Sequence, residues 1–264
     1  MSGSQVRLGR LFNRESGRSF IAAIDHGLTL GVPRGAERVI ETVEAVVSGG
    51  PDAVLLSPGV MEKSSHLFAF RGAPATILRC DFIVAEPLWP RFGEGHRVIV
   101  SPADAAAMGA DAVIMFLMVG ASSGEMFADN VEAVARAAQE AHGVGLPLIV
   151  EAVLWSQREE DKRDPDMLAF GCRVAAELGA DGLKTEYTGD RISMARVIEG
   201  CPAPVLVLGG PKTTSATSLI EATRAAMEAG AKGVVYGRNV WQADDPIAIS
   251  RQLRELIHGG AAVP

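Results

Sequence analysis

Short runs of apolar, often β-branched residues return at regular intervals along the chain, and this recurrence constrains the fold more than any other feature. There are eight: Phe20–Asp25, Ala53–Ser57, Thr76–Asp81, Ala112–Met118, Leu148–Val153, Gly182–Tyr187, Val205–Gly210 and Gly233–Gly237. Each has the length of a strand. Between most of them apolar residues repeat at helical spacing, over Ala36–Val47, Met126–Ala141, Met167–Leu178, Ser218–Ala229 and Ile247–Leu256. A helix between two strands brings the chain back in the same direction, so the alternation predicts parallel strands.

The joints from helix to strand repeat too. Met108-Gly-Ala-Asp111, Leu178-Gly-Ala-Asp181 and Ala229-Gly-Ala-Lys232 share a pattern, with Ser48-Gly-Gly-Pro-Asp52 as a looser copy. In each, a glycine stands where a helix closes in a left-handed cap and the next strand begins. Eight βα units in 264 residues fit a closed (β/α)8 TIM barrel better than an open doubly wound sheet. No Ser/Gly/Pro-rich or charge-rich linker divides the sequence, so residues 1–264 are expected to form a single barrel domain. Ser101-Pro102-Ala103-Asp104 and Asp245-Pro246 mark helix starts. The stretch Glu86–Arg97 carries Pro87, Pro90 and two glycines, and is expected as a long loop on the face where the strands end.

Composition narrows the partners. The net charge of −7 comes without a cluster of Lys and Arg, which argues against nucleic acid and leaves an anionic metabolite needing a local basic site. No stretch reaches the roughly 18 apolar residues of a membrane span, and Met1–Phe12 lacks a signal-peptide core, so no membrane partner is expected. Cys80, Cys172 and Cys201 are widely separated and lack C-x-x-C spacing, as buried thiols of a cytoplasmic protein would be.

Barrels of this kind carry chemistry at the C-terminal ends of their strands. Strand alternation puts Leu183 and Thr185 on one side and Lys184 and Glu186 on the other; with Leu183 toward the helices, Lys184 points into the barrel. Burial there favours a neutral, nucleophilic amine, and the alternative is a structural ion pair with an acid. Asp25 closes the first strand, where its carboxylate can exchange protons beside the lysine or orient it. His26 follows it as a substrate-binding candidate. Gly209, Gly210, Gly237 and Arg238 end the seventh and eighth strands, the common phosphate position of the fold, with Asn239 to Gln242 as a short extra helix and Lys212 nearby. Metal binding by Asp25, His26, Asp81, Glu86 and Glu151 is the rival use of these acids, but no H-x-H or H-E-x-x-H spacing supports it, and no metal or other cofactor is expected.

Asp25-His26-Gly27, Gly179 through Asp190 with Lys184 at its centre, Gly209-Gly-Pro-Lys-Thr213 and Gly237-Arg-Asn-Val-Trp-Gln242 together resemble the DeoC/FbaB aldolase family over nearly the whole chain. That family includes archaeal-type class I fructose-bisphosphate aldolases, 2-amino-3,7-dideoxy-D-threo-hept-6-ulosonate synthases and the autoinducer-2 thiolase LsrF. The resemblance implies a Schiff base on Lys184, assistance from Asp25, and a substrate phosphate held by Gly209, Gly210, Gly237 and Arg238. It also implies a small phosphorylated substrate and a ring-built homo-oligomer such as a decamer.

One departure stands out. The fructose-bisphosphate aldolases carry Trp-x-Tyr-Pro-Arg-Gly after the fifth strand; here Trp155 matches, and Gln157 occupies the tyrosine position in Trp155-Ser156-Gln157-Arg158. An amide has no titratable proton, so Glu186, Glu151 or Tyr187 must take over the proton transfer, or the reaction differs. The Met118-Val-Gly120 and Gly209–Thr213 segments resemble the synthase branch more closely. The expected activity is a class I aldolase on a phosphorylated ketose, with a transaldolase-like synthase or acyl-transferring thiolase as the alternative and a non-catalytic phosphosugar-binding barrel as a third.

Overall fold

The computed structural model describes residues 2–85, 88–121, 123–155, 161–213 and 215–259. Eight parallel strands close into a barrel. They are β1 (Ser19–Ala23), β2 (Ala53–Leu56), β3 (Ala75–Arg79), β6 (Ala112–Val119), β7 (Leu148–Leu154), β8 (Gly182–Thr185), β9 (Val205–Leu208) and β10 (Gly233–Tyr236), with β10 pairing back onto β1. Each of the eight runs expected from sequence holds one barrel strand. Among the described residues two further strands, β4 (Asp81–Ile83) and β5 (His96–Val98), form an antiparallel pair outside the barrel. Among the described residues no helix is long and apolar enough to cross a membrane.

Alternation along the strands sorts the core into two layers. Phe20, Ala22, Leu78, Val150, Leu183 and Val207 face outward into the cluster shared with the helices. Ile21, Ala23, Leu55, Ile77, Ile114, Ile149, Leu206 and Val235 fill the barrel interior. Strand parity therefore sends the next inward positions, Asp25, Arg79, Glu151 and Lys184, into the same interior one level higher. The filling changes there from apolar to ionic.

The repeated joints have a structural reason. Gly50, Gly109, Gly179 and Gly230 sit at φ of 70°, 89°, 104° and 104°, the left-handed region a side chain resists. In three of the four, the acid that follows accepts an N–H from the first or second residue of the neighbouring strand: Asp52 from Phe20, Asp111 from Thr76 and Asp181 from Leu148, at 2.7, 3.1 and 2.8 Å. These carboxylates satisfy backbone donors at the strand starts, away from the catalytic end.

Two segments differ from the sequence reading. Residues expected as a long loop after β3 instead include a helical turn, Trp89–Phe92, and the return strand β5. Asp81 anchors these two strands to the barrel by accepting the Phe116 N–H at 2.7 Å and pairing with His96 at 3.0 Å. A helix over Ser2–Leu11 also precedes β1, where the sparse apolar pattern gave no signal. Its last residue, Leu11, is fully buried and packs with Phe12 against the interior cluster, closing the floor of the barrel. Leu11→Ala is expected to lower unfolding free energy by about 2–5 kcal/mol through the cavity it leaves, measured by urea denaturation; a loss well below that range would mean that the floor does not depend on this side chain.

Candidate active site

Arg79 rises from the end of β3 into the barrel with its side chain 2% exposed. Its Nε donates to Asp25 Oδ2 at 2.9 Å, one terminal nitrogen reaches Asp81 at 3.5 Å, and the other is hydrogen-bonded to Glu151 Oε2. The guanidinium also lies 3.8 Å from the centroid of the Phe116 ring. Glu151 turns its second oxygen to Lys184, whose Nζ stands 2.7 Å from Oε1. Glu151 and Lys184 are register partners on β7 and β8, so the ladder itself sets them side by side. The lysine is thus both inward-facing and ion-paired, and the two alternatives for it converge on one geometry.

The charges around Arg79 shift the titration of Asp25, Glu151, Arg79 and His26. Burial pushes the Asp25 carboxyl up, but Arg79, then Lys184, outweigh it and bring the group to about 2. Glu151 is also lowered: burial opposes ionisation, and Lys184 and Arg79 overcome it. Arg79 loses to burial but gains more from Glu151, Asp25 and Asp81, and its pKa rises. His26 goes the other way. Burial, helped by the Lys184 and Arg238 charges and opposed by Asp25, lowers it to about 4, so the imidazole is neutral at neutral pH. Its 3.7 Å approach to Asp25 is then a dipolar contact, not an ion pair.

Lys184 and Glu151 line a cavity of about 420 Å³ at the strand ends. Its other wall contains Gly209, Gly210, Gly237 and Arg238, with His26 and Glu186 also at its surface. At two of the glycines there is no room for a side chain: a Cβ at Gly237 would run into the His26 ring, and one at Gly209 would stand 2.8 Å from Tyr236 Cδ1. Arg238–Trp241 forms the short helix expected after β10. A smaller cavity of about 170 Å³ is lined by Trp155, Trp89, Phe116, Lys162 and Glu186, the last two shared with the larger one. Trp155 packs on Trp89 with ring centroids 5.1 Å apart.

Other candidates lie elsewhere. Lys212 donates to the Gln242 carbonyl at 2.5 Å and lines a neighbouring groove, not the cavity of Lys184. Tyr187 packs toward the outer, helix-facing cluster. Gln157 lies outside the described residues. Among the described residues no three His, Cys, Asp or Glu side chains group as a metal set. A larger cavity of about 640 Å³, beside Arg10, Thr76 and Asp111, opens near the strand starts, so volume alone would misplace the site. Arg79 is the residue whose part sequence reasoning did not assign: it stands out as a strand-end residue, but only the fold shows three carboxylates converging on it.

A model of DeoC/LacD family aldolases matches residues 19–243. An uncharacterized aldolase of Saccharolobus solfataricus is 35% identical over 100% of this chain and 97% of its own length. The 2-amino-4,5-dihydroxy-6-oxo-7-(phosphonooxy)heptanoate synthase of Streptomyces griseus is 31% identical over 96% of this chain and 89% of its own. An archaeal fructose-1,6-bisphosphate aldolase, solved with its catalytic lysine covalently bound to the carbinolamine intermediate of the substrate, superposes with a TM-score of 0.83. It is 28% identical and covers 96% of this chain and 99% of that one. The chain belongs to the DeoC/LacD aldolase family. It is a lyase of the class I, Schiff-base type.

The electrostatics give a direct test of Arg79. Arg79→Met would leave Asp25 and Glu151 buried without their shared cation, which is expected to cost about 3–5 kcal/mol of stability near neutral pH. Both carboxyls would then titrate higher than in the wild type, because Asp25 loses the strongest charge opposing its burial and Glu151 keeps only Lys184. The deficit relative to wild type should narrow as pH falls from 7 toward 4 and the two acids take up protons. Urea denaturation across that range measures it; a deficit independent of pH would mean that Arg79 acts by packing.

Proposed function

We propose that Lys184 condenses with the carbonyl of a small phosphorylated keto substrate, and that the enzyme makes or breaks a carbon–carbon bond through the resulting iminium. The observation that carries this reading is the 2.7 Å contact between Lys184 Nζ and Glu151 Oε1 at the edge of a cavity whose opposite wall is built of glycines and Arg238. The amine and its proton acceptor are in contact before substrate arrives.

In the first step the ammonium passes a proton to Glu151, and the free amine adds to the carbonyl carbon. Glu151 returns the proton to the carbinolamine hydroxyl, which leaves as water. The iminium then takes up the electron pair of the bond between its α and β carbons, which becomes the enamine double bond, while a base accepts the β-hydroxyl proton and the departing aldehyde forms. Glu186 lines both cavities and is suited to that role. Asp25, held anionic at about 2, keeps Arg79 in place and adds negative charge near the iminium. The neutral His26 is placed to hydrogen-bond substrate.

Gly210 and Arg238 support the phosphate part of the reading, because a backbone N–H without a side chain admits an oxyanion closely and Arg238 adds a charged donor, whereas the missing side chains at Gly209 and Gly237 make room for Tyr236 and His26. The name of the Streptomyces relative describes a 6-oxo carbon next to a phosphonooxy carbon. A ketone so placed would reach Lys184 while its phosphate meets Gly210 and Arg238. That relative also favours, as a second reading, a synthase that joins two fragments by the same iminium. The unpaired Cys80, Cys172 and Cys201 fit a cytoplasmic setting. The exposed Met167, Phe170 and Ile192 are apolar surface that a homo-oligomer would cover.

Borohydride added with a phosphorylated ketose should leave a reduced adduct on the peptide containing Lys184, read by intact mass and peptide mapping. Lys184→Ala should take none. An adduct carried by Lys162 or Lys212 instead would move the nucleophile and overturn the proposal.

A further inference from the structure

Asn239 is a buried residue that the reaction above does not use. It follows Arg238 in the short helix after β10 and is 4% exposed. All of its amide is engaged on the loop after β9. Nδ2 donates to the carbonyls of Gly209 at 2.8 Å and Pro211 at 3.2 Å, and Oδ1 accepts from the Thr213 N–H at 2.7 Å and the Thr213 hydroxyl at 3.1 Å. The orientation of the amide follows from its partners, since only the NH₂ can serve two carbonyls and only the oxygen a backbone N–H.

These bonds set the direction of the loop's donors. Among the described residues no peptide bond is cis, so each N–H in the loop points opposite to the carbonyl of the same peptide unit. With the Gly209 carbonyl drawn to Asn239, the N–H of Gly210 is turned away from Asn239, on the side where Gly210 lines the cavity of Lys184. The Pro211 carbonyl likewise turns the Lys212 N–H outward. On a helix, Arg238 and Asn239 project about 100° apart, which lets one reach the cavity while the other reaches behind the loop.

We infer that Asn239 is a positioning residue for substrate phosphate: it locks the loop after β9 to the turn after β10, so that the Gly210 N–H and the Arg238 guanidinium address one anion. This inference rests on the proposed phosphate-binding role of that wall. It assigns the residue behind the wall and sets what selects phosphorylated over unphosphorylated ketones. Its contribution lies in ground-state and transition-state binding alike, and not in the covalent step.

The test compares borohydride trapping at Lys184 with dihydroxyacetone phosphate and with dihydroxyacetone. Asn239→Asp keeps the acceptor for Thr213 but loses both donors to the loop carbonyls. It should raise the half-saturating concentration of dihydroxyacetone phosphate about tenfold or more, while that of dihydroxyacetone moves less than about twofold, and the trapping rate at saturation falls much less than the affinity. If Asn239→Asp does not fold, Thr213→Val, which removes only the hydroxyl contact, should shift dihydroxyacetone phosphate alone by about threefold. A variant that discriminates between the two ketones as well as wild type overturns the clamp while leaving the phosphate site standing. Wild type that traps both at equal concentrations overturns the phosphate site, and the clamp with it.

Discussion

A single buried guanidinium organises this site. Arg79 meets Asp25, Asp81 and Glu151 at the level where the barrel filling turns from hydrophobic to charged, and Lys184 is the second cation in the same layer. Desolvating so many charges is expensive, and the arrangement holds because each carboxylate has a cation within hydrogen-bonding reach. Without Arg79, Glu151 would have Lys184 as its only cation, and Asp25 would lose its direct partner. With it, Glu151 has one oxygen committed to the frame and the other available to the lysine. The contact we propose as reactive is a consequence of the structural one.

The two ends of the barrel do different work. At the strand starts, Asp52, Asp111 and Asp181 satisfy neighbouring backbone N–H groups, and Leu11 closes the interior. At the strand ends, carboxylates of the same chemical type are spent on Arg79 and Lys184. The pair of β4 and β5, tied down through Asp81 and His96, belongs to this upper end, where Trp89 in the segment between its strands meets Trp155. Stability and chemistry are thus separated along the barrel axis, as the fold permits.

Much of this was legible in the sequence. Eight apolar runs and the Gly-Ala-Asp joints defined the barrel, because parallel strands buried on both faces need continuous apolar residues and helix ends need glycine. Lys184 was legible from parity alone, as its neighbour Leu183 belongs outside. Other features depend on contacts between distant segments. Arg79 meets Asp25 just beyond β1 and Glu151 on β7, and nothing in the local sequence around it marks that convergence. Asn239 is in the same position, since its meaning lies in carbonyls some thirty residues earlier. The helix over Ser2–Leu11 escaped because its apolar residues are few and its stability comes from docking under the barrel. The acid–base role left open by Gln157 is narrowed by Tyr187 packing outward, which leaves Glu151 and Glu186 at the cavity.

In the reaction we propose, Glu151 moves the proton that lets Lys184 react. Glu151→Gln keeps the shape and hydrogen-bonding reach of the side chain but removes its ability to accept a proton. Rapid-quench borohydride trapping of the iminium on Lys184, with circular dichroism to confirm the fold, should show formation slowed by roughly 10² to 10⁴ relative to wild type, the range of general acid–base catalysis. Iminium formation at the wild-type rate in a folded Glu151→Gln enzyme would contradict the account.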